Sequence, residues 1–129
     1  MNLVNNNLIS NDISFILNSI KRIYEILTIY KAIFIVHSKI YDILLHELEN
    51  DSYSVSTIEK FSDFEKNKTR ILMIKDTDFL NINKIYCNIH FKDTINLILF
   101  IDTPKFIDDN IFKSLLLCKN LDSCSILEI

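Results

Sequence analysis

The sequence contains no glycine, and this absence excludes two common kinds of nucleotide site. A phosphate-binding loop needs glycines, because its backbone N–H groups must close around the phosphates. Neither a Walker A loop nor the glycine-rich dinucleotide fingerprint can therefore exist in this chain. Turns that require a positive φ must rely on asparagine and aspartate instead.

Cysteine and histidine are scarce, and neither is spaced as metal ligands are. The three cysteines are an odd set without CxxC spacing, which is typical of free thiols in a reducing cell. The three histidines are scattered, and none has a carboxylate partner at metal-ligand spacing. We therefore expect no metal and no cofactor. These residues are Cys87, Cys118, Cys124, His37, His46 and His90.

Long apolar runs are also absent. No purely apolar run is longer than the five residues of Leu97–Ile101, and this is far shorter than the roughly 20 residues of a membrane-spanning helix. The first residues, MNLVNNNLIS, have neither the basic region nor the apolar region of a secretory signal. We expect an intracellular protein, cytoplasmic or nuclear, that does not contact a membrane.

The composition is that of an ordinary globular protein from an AT-rich genome. The chain has 129 residues, of which 49% are hydrophobic and 24% charged, so we expect a single α/β domain over residues 1–129. Isoleucine, asparagine, lysine and phenylalanine are abundant, and all have AT-rich codons. The net charge of −3 does not indicate a strong nucleic-acid binder.

One stretch of the sequence predicts a strand that is buried on both faces. In KNKTRILMIKD, residues 66–76, a short basic stretch precedes four apolar residues, and Lys75 and Asp76 follow. Four consecutive apolar residues cannot alternate between core and water, so a strand over 70–74 lies between two layers of helices.

Other segments predict further strands. Apolar runs at 32–36 and 95–101 resemble the run at 70–74 and predict two more buried strands. YSVST, residues 53–57, alternates and predicts a strand nearer an edge. CSILEI, residues 124–129, predicts a closing strand. The central sheet should therefore include 33–36, 71–74 and 96–101.

Steps of three and four residues between apolar positions predict the helices. The first covers 8–31, with Ser10 or Asn11 as its cap, and the second covers 39–49, with Ser38 as its cap. On the second helix, Tyr41, Leu44, Leu45 and Leu48 should face inward. A short helix follows the edge strand, and it should turn Ile58, Phe61 and Phe64 inward.

Two later segments are predicted less sharply. A last helix runs from Asp108 or Asp109 to about Lys119. Residues 77–94 fit a strand, a helix or an irregular excursion. Because strands and helices alternate with short connections, the compact solution is a three-layer α/β sandwich with a mostly parallel central sheet, of the RecA-like or Rossmann-like type.

Open parallel sheets bind ligands at the carboxyl ends of their strands, and polar residues follow the predicted strands here. The candidate ligand or partner edge comprises Ser38, Lys39, Lys75, Asp76 and Lys84. Its lysines are candidate phosphate contacts and Ser38 is a candidate hydrogen-bond donor. We expect Lys75 and Lys84 to be exposed.

Paired acidic residues invite a catalytic interpretation. Asp76 with Asp78, or Asp108 with Asp109, could hold Mg²⁺ or act as an acid and a base. The first pair is explained equally well as polar residues at the end of a strand, and the second pair as caps of a helix. We favour these structural interpretations and predict no catalytic residue.

The order of segments resembles the second RecA-like lobe of superfamily 2 helicases, which include the DEAD-box enzymes. YKAIFIVHS resembles the motif IV strand ending at a serine, FSDFEKNKTRILMIKD resembles a helix running into a strand of the type TRILVATD, and INLILFIDTP resembles VINYDLP. The resemblance covers nearly the whole chain. It implies a lobe that in the family works beside an ATP-binding first lobe.

The departures from that family pattern are large. Lys75 stands where motif V has threonine, and Leu80 lies near the position of its glycine. The motif VI arginines fall among Ser114, Leu115, Leu117 and Lys119, and an extra stretch lies at about 85–93. The resemblance therefore implies a degenerate lobe without ATPase or unwinding activity.

Residues 33–129 also resemble a receiver domain of two-component signalling. Its acidic pair would be replaced by His37 and Ser38, and its phospho-acceptor would be Lys75 or, out of register, Asp76. This resemblance implies an inactive receiver that binds a protein partner. It ranks second because it leaves helix 8–31 unexplained.

Three functions follow as hypotheses. The first is a non-catalytic helicase-lobe-like protein that acts as an interaction or scaffold subunit of a larger assembly, with a protein partner and only weak contact to RNA or DNA. The second is the inactive receiver-like module. The third, which we favour least, is a small enzyme whose site is assembled from dispersed residues.

Overall fold

Helices and strands alternate along the described residues, as the sequence predicts. The computed structural model of the chain describes residues 2–79, 95–103 and 124–129. The elements are α1 (Asn2–Ile26), β1 (Lys31–Val36), α2 (Ser38–Asn50), β2 (Val55–Ser56), a 3₁₀ turn (Ile58–Lys60), α3 (Phe61–Glu65), β3 (Ile71–Lys75), α4 (Asp76–Phe79), β4 (Ile95–Ile101) and β5 (Ser125–Glu128).

The five strands form one sheet in the order β2-β3-β1-β4-β5, and every neighbouring pair is parallel. Helices α1 and α2 pack on the first face, where Ile20 and Leu44 are fully buried. Phe64 of α3 is buried on the second face. The predicted three-layer α/β sandwich of Rossmann-like type is confirmed, and the five strands among the described residues are all parallel.

The two covered faces explain the continuous apolar runs. Along β1, Ala32 and Phe34 belong to the first core and Ile33 and Ile35 to the second. All six residues of β1 are buried, because each face has its own layer of helix or turn. The runs at 33–36, 71–74 and 96–101 all lie in the sheet, as predicted.

Strand β4 contains an irregularity that the sequence does not reveal. Lys31 pairs with Ile95, but Ala32 pairs with Leu97, so Asn96 is the extra residue of a bulge. Its side chain binds the connection between α1 and β1. Asn96 Nδ2 donates to the Thr28 carbonyl at 2.6 Å, and its Oδ1 accepts the Tyr30 N–H at 2.8 Å.

The first helix differs from its predicted limits of 8–31. It runs from Asn2 to Ile26, so Ser10 and Asn11 lie inside the helix and do not cap it. It ends early because Asn96 holds the following connection and Lys31 already belongs to β1. In this segment the pairing of β1 in the sheet determines the structure, although the helical periodicity of the sequence continues.

The second helix has a different cap from the predicted one. Ser38 is its first residue, and His37 is the N-cap. Leu45 is only half-buried, and Ile40 is buried in its place. The predicted edge strand 53–57 shortens to β2, which does lie at the edge of the sheet. In the following turn and helix, Phe64 is buried while Ile58 and Phe61 pack half-buried against the second core.

Three of the described residues have a positive φ: Ser52 at 69°, Asn67 at 64° and Asp102 at 50°. Asparagine and aspartate take two of these positions, as predicted for a chain without glycine, and serine takes the third. The predicted helix that begins at Asp108 or Asp109, the stretch at about 85–93 and Lys84 lie outside the described residues.

Candidate functional site

The carboxyl ends of β1 and β3 bring four of the five predicted site residues to one edge of the sheet. Val36 pairs with Lys75 at the end of the two strands. Ser38 and Lys39 therefore begin α2 beside the point where β3 passes into Asp76. The fifth predicted residue, Lys84, lies outside the described residues.

Asp76 is buried and binds the beginning of α2. Only 7% of its surface is exposed. Its Oδ1 accepts the N–H of Ser38 at 3.0 Å and the N–H of Thr77 at 2.8 Å. A carboxylate at a helix N-terminus interacts favourably with the helix dipole and with N–H groups that have no intrahelical acceptor. Asp76 therefore couples the end of β3 to the start of α2.

The other N–H groups of the first turn of α2 also have acceptors. The Lys39 N–H donates to His37 Nδ1 at 3.0 Å, and the Ile40 N–H donates to the His37 carbonyl at 3.1 Å. Because His37 Nδ1 is an acceptor, the neutral ring carries its hydrogen on Nε2. The groups that could cradle a phosphate at this helix are thus engaged within the chain.

Lys75 is half-buried, whereas the sequence predicted it to be exposed. Its Nζ lies 5.3 Å from the centroid of the Tyr41 ring, within the range of a cation–π interaction. The Tyr41 hydroxyl in turn donates to the Met73 carbonyl at 3.1 Å. The ammonium group of Lys75 therefore lies beside an aromatic ring of α2.

A cavity of about 250 Å³ opens beside Lys75, between the ends of β2 and β3. The polar and aromatic side chains that line it are Tyr41, Asp42, Thr57, Glu59, Lys75 and Asp78. Three carboxylates thus accompany a single ammonium group. The cavity is consequently more favourable to a cation than to a phosphate.

The pKa values around the cavity reflect this charge balance. Burial, then the charges of Glu59, Asp42 and Asp78, raise the pKa of Tyr41 to about 12. A hydrogen bond from the Thr57 side chain, a bond to its own backbone and the charge of Lys75 lower the pKa of Glu59. Glu59 therefore remains ionised beside Lys75.

The sequence did not indicate Tyr41, Asp42 or Glu59 as members of this edge. Tyr41 was predicted as a core residue, and it does belong to the first core. The sequence does not give the strand order. In the sheet β2 lies beside β3, and this position brings Glu59 next to Lys75. Alternating hydrophobicity predicts a strand but not its neighbour.

Within residues 2–79, 95–103 and 124–129, no group of three or more histidine, cysteine, aspartate or glutamate side chains could hold a metal ion. In the same parts of the chain, none of the helices is both long and apolar enough to cross a membrane.

Comparison of the sequence with models of known protein families and with curated proteins finds no match.

Proposed function

We propose that the chain is a non-catalytic, helicase-lobe-like protein that acts as an interaction or scaffold subunit of a larger assembly. Its protein partner binds at the carboxyl edge of the sheet, around Lys39, Lys75 and Asp78. The family relationship rests on the order of segments in the sequence. The role of the edge rests on its geometry and charge.

The observation that carries the proposal is the position of Asp76. In open α/β sheets a phosphate commonly binds the N–H groups at the start of a helix that follows a strand. Here the Asp76 carboxylate accepts the Ser38 N–H, and His37 accepts the next two. A phosphate would have to displace a buried carboxylate or lie beside its charge, and both are unfavourable.

The surrounding charges support a protein partner rather than a nucleic acid at this edge. Lys39 is exposed and Lys75 lines the cavity, but Asp42, Glu59 and Asp78 line the same cavity. A nucleic-acid groove requires a surplus of cations. The phosphate-binding role that the sequence suggested for Lys39 and Lys75 is therefore disfavoured.

The strand order argues against the receiver-like alternative. Receiver domains share the flavodoxin-like order β2-β1-β3-β4-β5. In this chain β1 lies between β3 and β4, and β2 pairs with β3. Asp76, the aspartate nearest to a phospho-acceptor position, is buried and holds two backbone N–H groups.

The test is recovery of the partner from cells that make the protein, using a charge exchange at the edge. Lys39→Glu with Asp78→Lys leaves the net charge unchanged and alters two exposed side chains. We expect recovery of the protein partner to fall by roughly tenfold. The matched control is Lys21→Glu with Glu49→Lys, which exchanges two exposed charges away from this edge.

Nuclease treatment of the extract separates a protein partner from one bridged by nucleic acid. The proposal requires a partner that survives nuclease, binds the purified protein and is lost in the edge variant only. Equal recovery by the edge variant and the control would show that this edge is not the binding surface. Loss on nuclease treatment alone would also contradict the proposal.

A further inference from the structure

We infer that the opposite, amino edge of the sheet binds single-stranded nucleic acid through the basic loop 66–70 and the ring of Tyr30. This surface lies apart from the carboxyl edge, and the inference does not depend on the function proposed for that edge. Three features carry it: a concentration of exposed cations, a fixed loop conformation and an exposed aromatic ring beside an arginine.

The cations are Lys66, Lys68 and Arg70, and all three are exposed. They alternate with Asn67 and Thr69 in the loop immediately before β3. Their Cα atoms span at most about 14 Å, since a chain extends by roughly 3.5 Å per residue. This length matches two or three consecutive phosphates of an extended single strand. Among the described residues, the carboxyl edge offers no comparable run of cations.

The loop is held in one conformation by backbone hydrogen bonds. The Lys66 N–H donates to the Ser62 carbonyl at 2.9 Å, and the Lys68 N–H donates to the Asp63 carbonyl at 2.8 Å. The Arg70 N–H donates to Ser54 Oγ at 3.0 Å. The cations therefore project from a fixed backbone, which reduces the conformational entropy lost on binding.

The aromatic element is Tyr30, which precedes β1 at the same edge and is 46% exposed. The Arg70 guanidinium carbon lies 4.3 Å from the centroid of its ring. Its backbone N–H donates to Asn96 Oδ1, which fixes the residue against the bulge of β4. An exposed ring beside cations is the arrangement on which single-stranded bases stack while the phosphates contact the basic groups.

Nucleic acid fits this surface better than an acidic peptide does. A peptide would satisfy the cations but has no base to stack on the exposed part of the Tyr30 ring beside the Arg70 guanidinium. Two carboxylates, Asp63 and Glu65, precede the loop and weaken its potential. Binding should therefore be modest, with a dissociation constant on the order of 10⁻⁵ M at low salt, and it should weaken steeply as salt is added.

The experiment measures fluorescence anisotropy of a labelled oligothymidylate titrated with the purified full chain at low salt. Replacing Lys66, Lys68 and Arg70 together by glutamine should weaken binding by roughly tenfold or more and reduce its salt dependence. The matched control replaces Lys21, Arg22 and Lys60, which are also exposed, by glutamine. It has the same net charge and should stay within about twofold of the unsubstituted chain.

Tyr30 separates stacking from simple charge attraction. Tyr30→Ala should weaken oligothymidylate binding by about fivefold or more, while Tyr30→Phe retains it. Tyr30 is 46% exposed, so Tyr30→Phe should keep the melting temperature of the unsubstituted chain and Tyr30→Ala should lower it only slightly. Polyglutamate would compete effectively for a surface that binds by charge alone. On this surface it should displace the oligonucleotide poorly.

Three results would overturn the inference. The first is absence of oligothymidylate binding by the unsubstituted chain at low salt. The second is an equal loss in the loop variant and the control, which would indicate an effect of net charge. The third is an unaffected Tyr30→Ala variant together with effective competition by polyglutamate, which would indicate an acidic protein as the partner.

Discussion

The Asp76 side chain binds the N-terminus of α2 across the sheet, with its Oδ1 3.0 Å from the Ser38 nitrogen. The contact forms because β1 and β3 are neighbours, so that the residue after one strand meets the helix that follows the other. A single carboxylate thereby stabilises the helix and occupies the place where a ligand phosphate would otherwise bind.

Removing this carboxylate should destabilise the fold. Asp76→Ala leaves the Ser38 and Thr77 N–H groups without their acceptor, and we expect a loss of about 1–2 kcal/mol in the free energy of unfolding. Asp78→Asn is the control, because Asp78 is exposed and should change stability by less than about 0.5 kcal/mol. Urea denaturation measures both, and equal effects would show that Asp76 does not stabilise the start of α2.

A charge in the middle of β3 should unfold the chain. Leu72 is 2% exposed, and it pairs with Ile33 on one side and Ser56 on the other. Leu72→Asp buries a carboxylate without a partner, which costs several kcal/mol, on the order of the whole stability of a small domain. Circular dichroism should show an unfolded chain at room temperature, whereas an unchanged melting temperature would mean that β3 is misplaced.

Two tyrosines with buried hydroxyl groups should respond differently to loss of the hydroxyl. The Tyr24 hydroxyl is buried and has no hydrogen-bond partner among the described residues, and its ring packs edge-on against Tyr53. Tyr24→Phe keeps the ring contact and removes an unsatisfied polar group. We expect unchanged stability or a gain of up to about 1 kcal/mol by chemical denaturation.

Tyr41→Phe is the natural comparison for that substitution. The Tyr41 hydroxyl donates to the Met73 carbonyl, so its removal leaves a buried acceptor and should cost about 1 kcal/mol. The changes in the free energy of unfolding of the two variants should therefore have opposite signs or differ clearly in size. A Tyr24→Phe variant that is the less stable of the two would indicate a hydrogen bond at Tyr24.

Alkaline pH should destabilise the protein through the same tyrosines. The pKa of Tyr41 is raised to about 12, and burial raises the pKa of Tyr24 and Tyr53 as well. Because the folded state favours the neutral phenol, the stabilisation is complete below the ordinary tyrosine pKa near 10 and is lost as pH rises toward the folded value. For Tyr41 the loss should be about 1–2 kcal/mol after allowance for solvent screening.

Thermal unfolding across alkaline pH, with tyrosinate absorbance as a second signal, measures this effect. The melting temperature should fall as pH increases from 10 toward 12, and it should fall less in Tyr41→Phe. A melting temperature that is constant over this range would show that the phenols are not protected by the fold.

The strands of the sheet were predictable because a strand that is buried on both faces has a continuous apolar sequence. The runs around Ile33, Leu72 and Ile98 have no polar alternation, and each forms a strand. The end of α1 was not predictable, because the helical periodicity of the sequence continues past Ile26 into the connection that Asn96 binds. That contact joins residues 66 positions apart, and local patterns carry no information about it.

The candidate site was only partly predictable for a similar reason. Position after a strand places Ser38 and Asp76 at one edge, and the structure agrees. Whether Asp76 faces a ligand or the backbone depends on the distance between β3 and α2, which strand order determines. The acidic surroundings of Lys75 arise in the same way, from the placement of β2 beside β3.

The central claim is that the start of α2 is closed to phosphate, and amide NMR tests it most directly. Mg²⁺·ATP is titrated into labelled protein while the amide signals of Ser38, Lys39 and Ile40 are followed. We predict no saturable shift at these amides up to about 1 mM nucleotide, a limit that corresponds to a binding free energy weaker than about 4 kcal/mol. Saturable shifts at Ser38 and Lys39 below that concentration would contradict the account, because they would place a phosphate where Asp76 now binds.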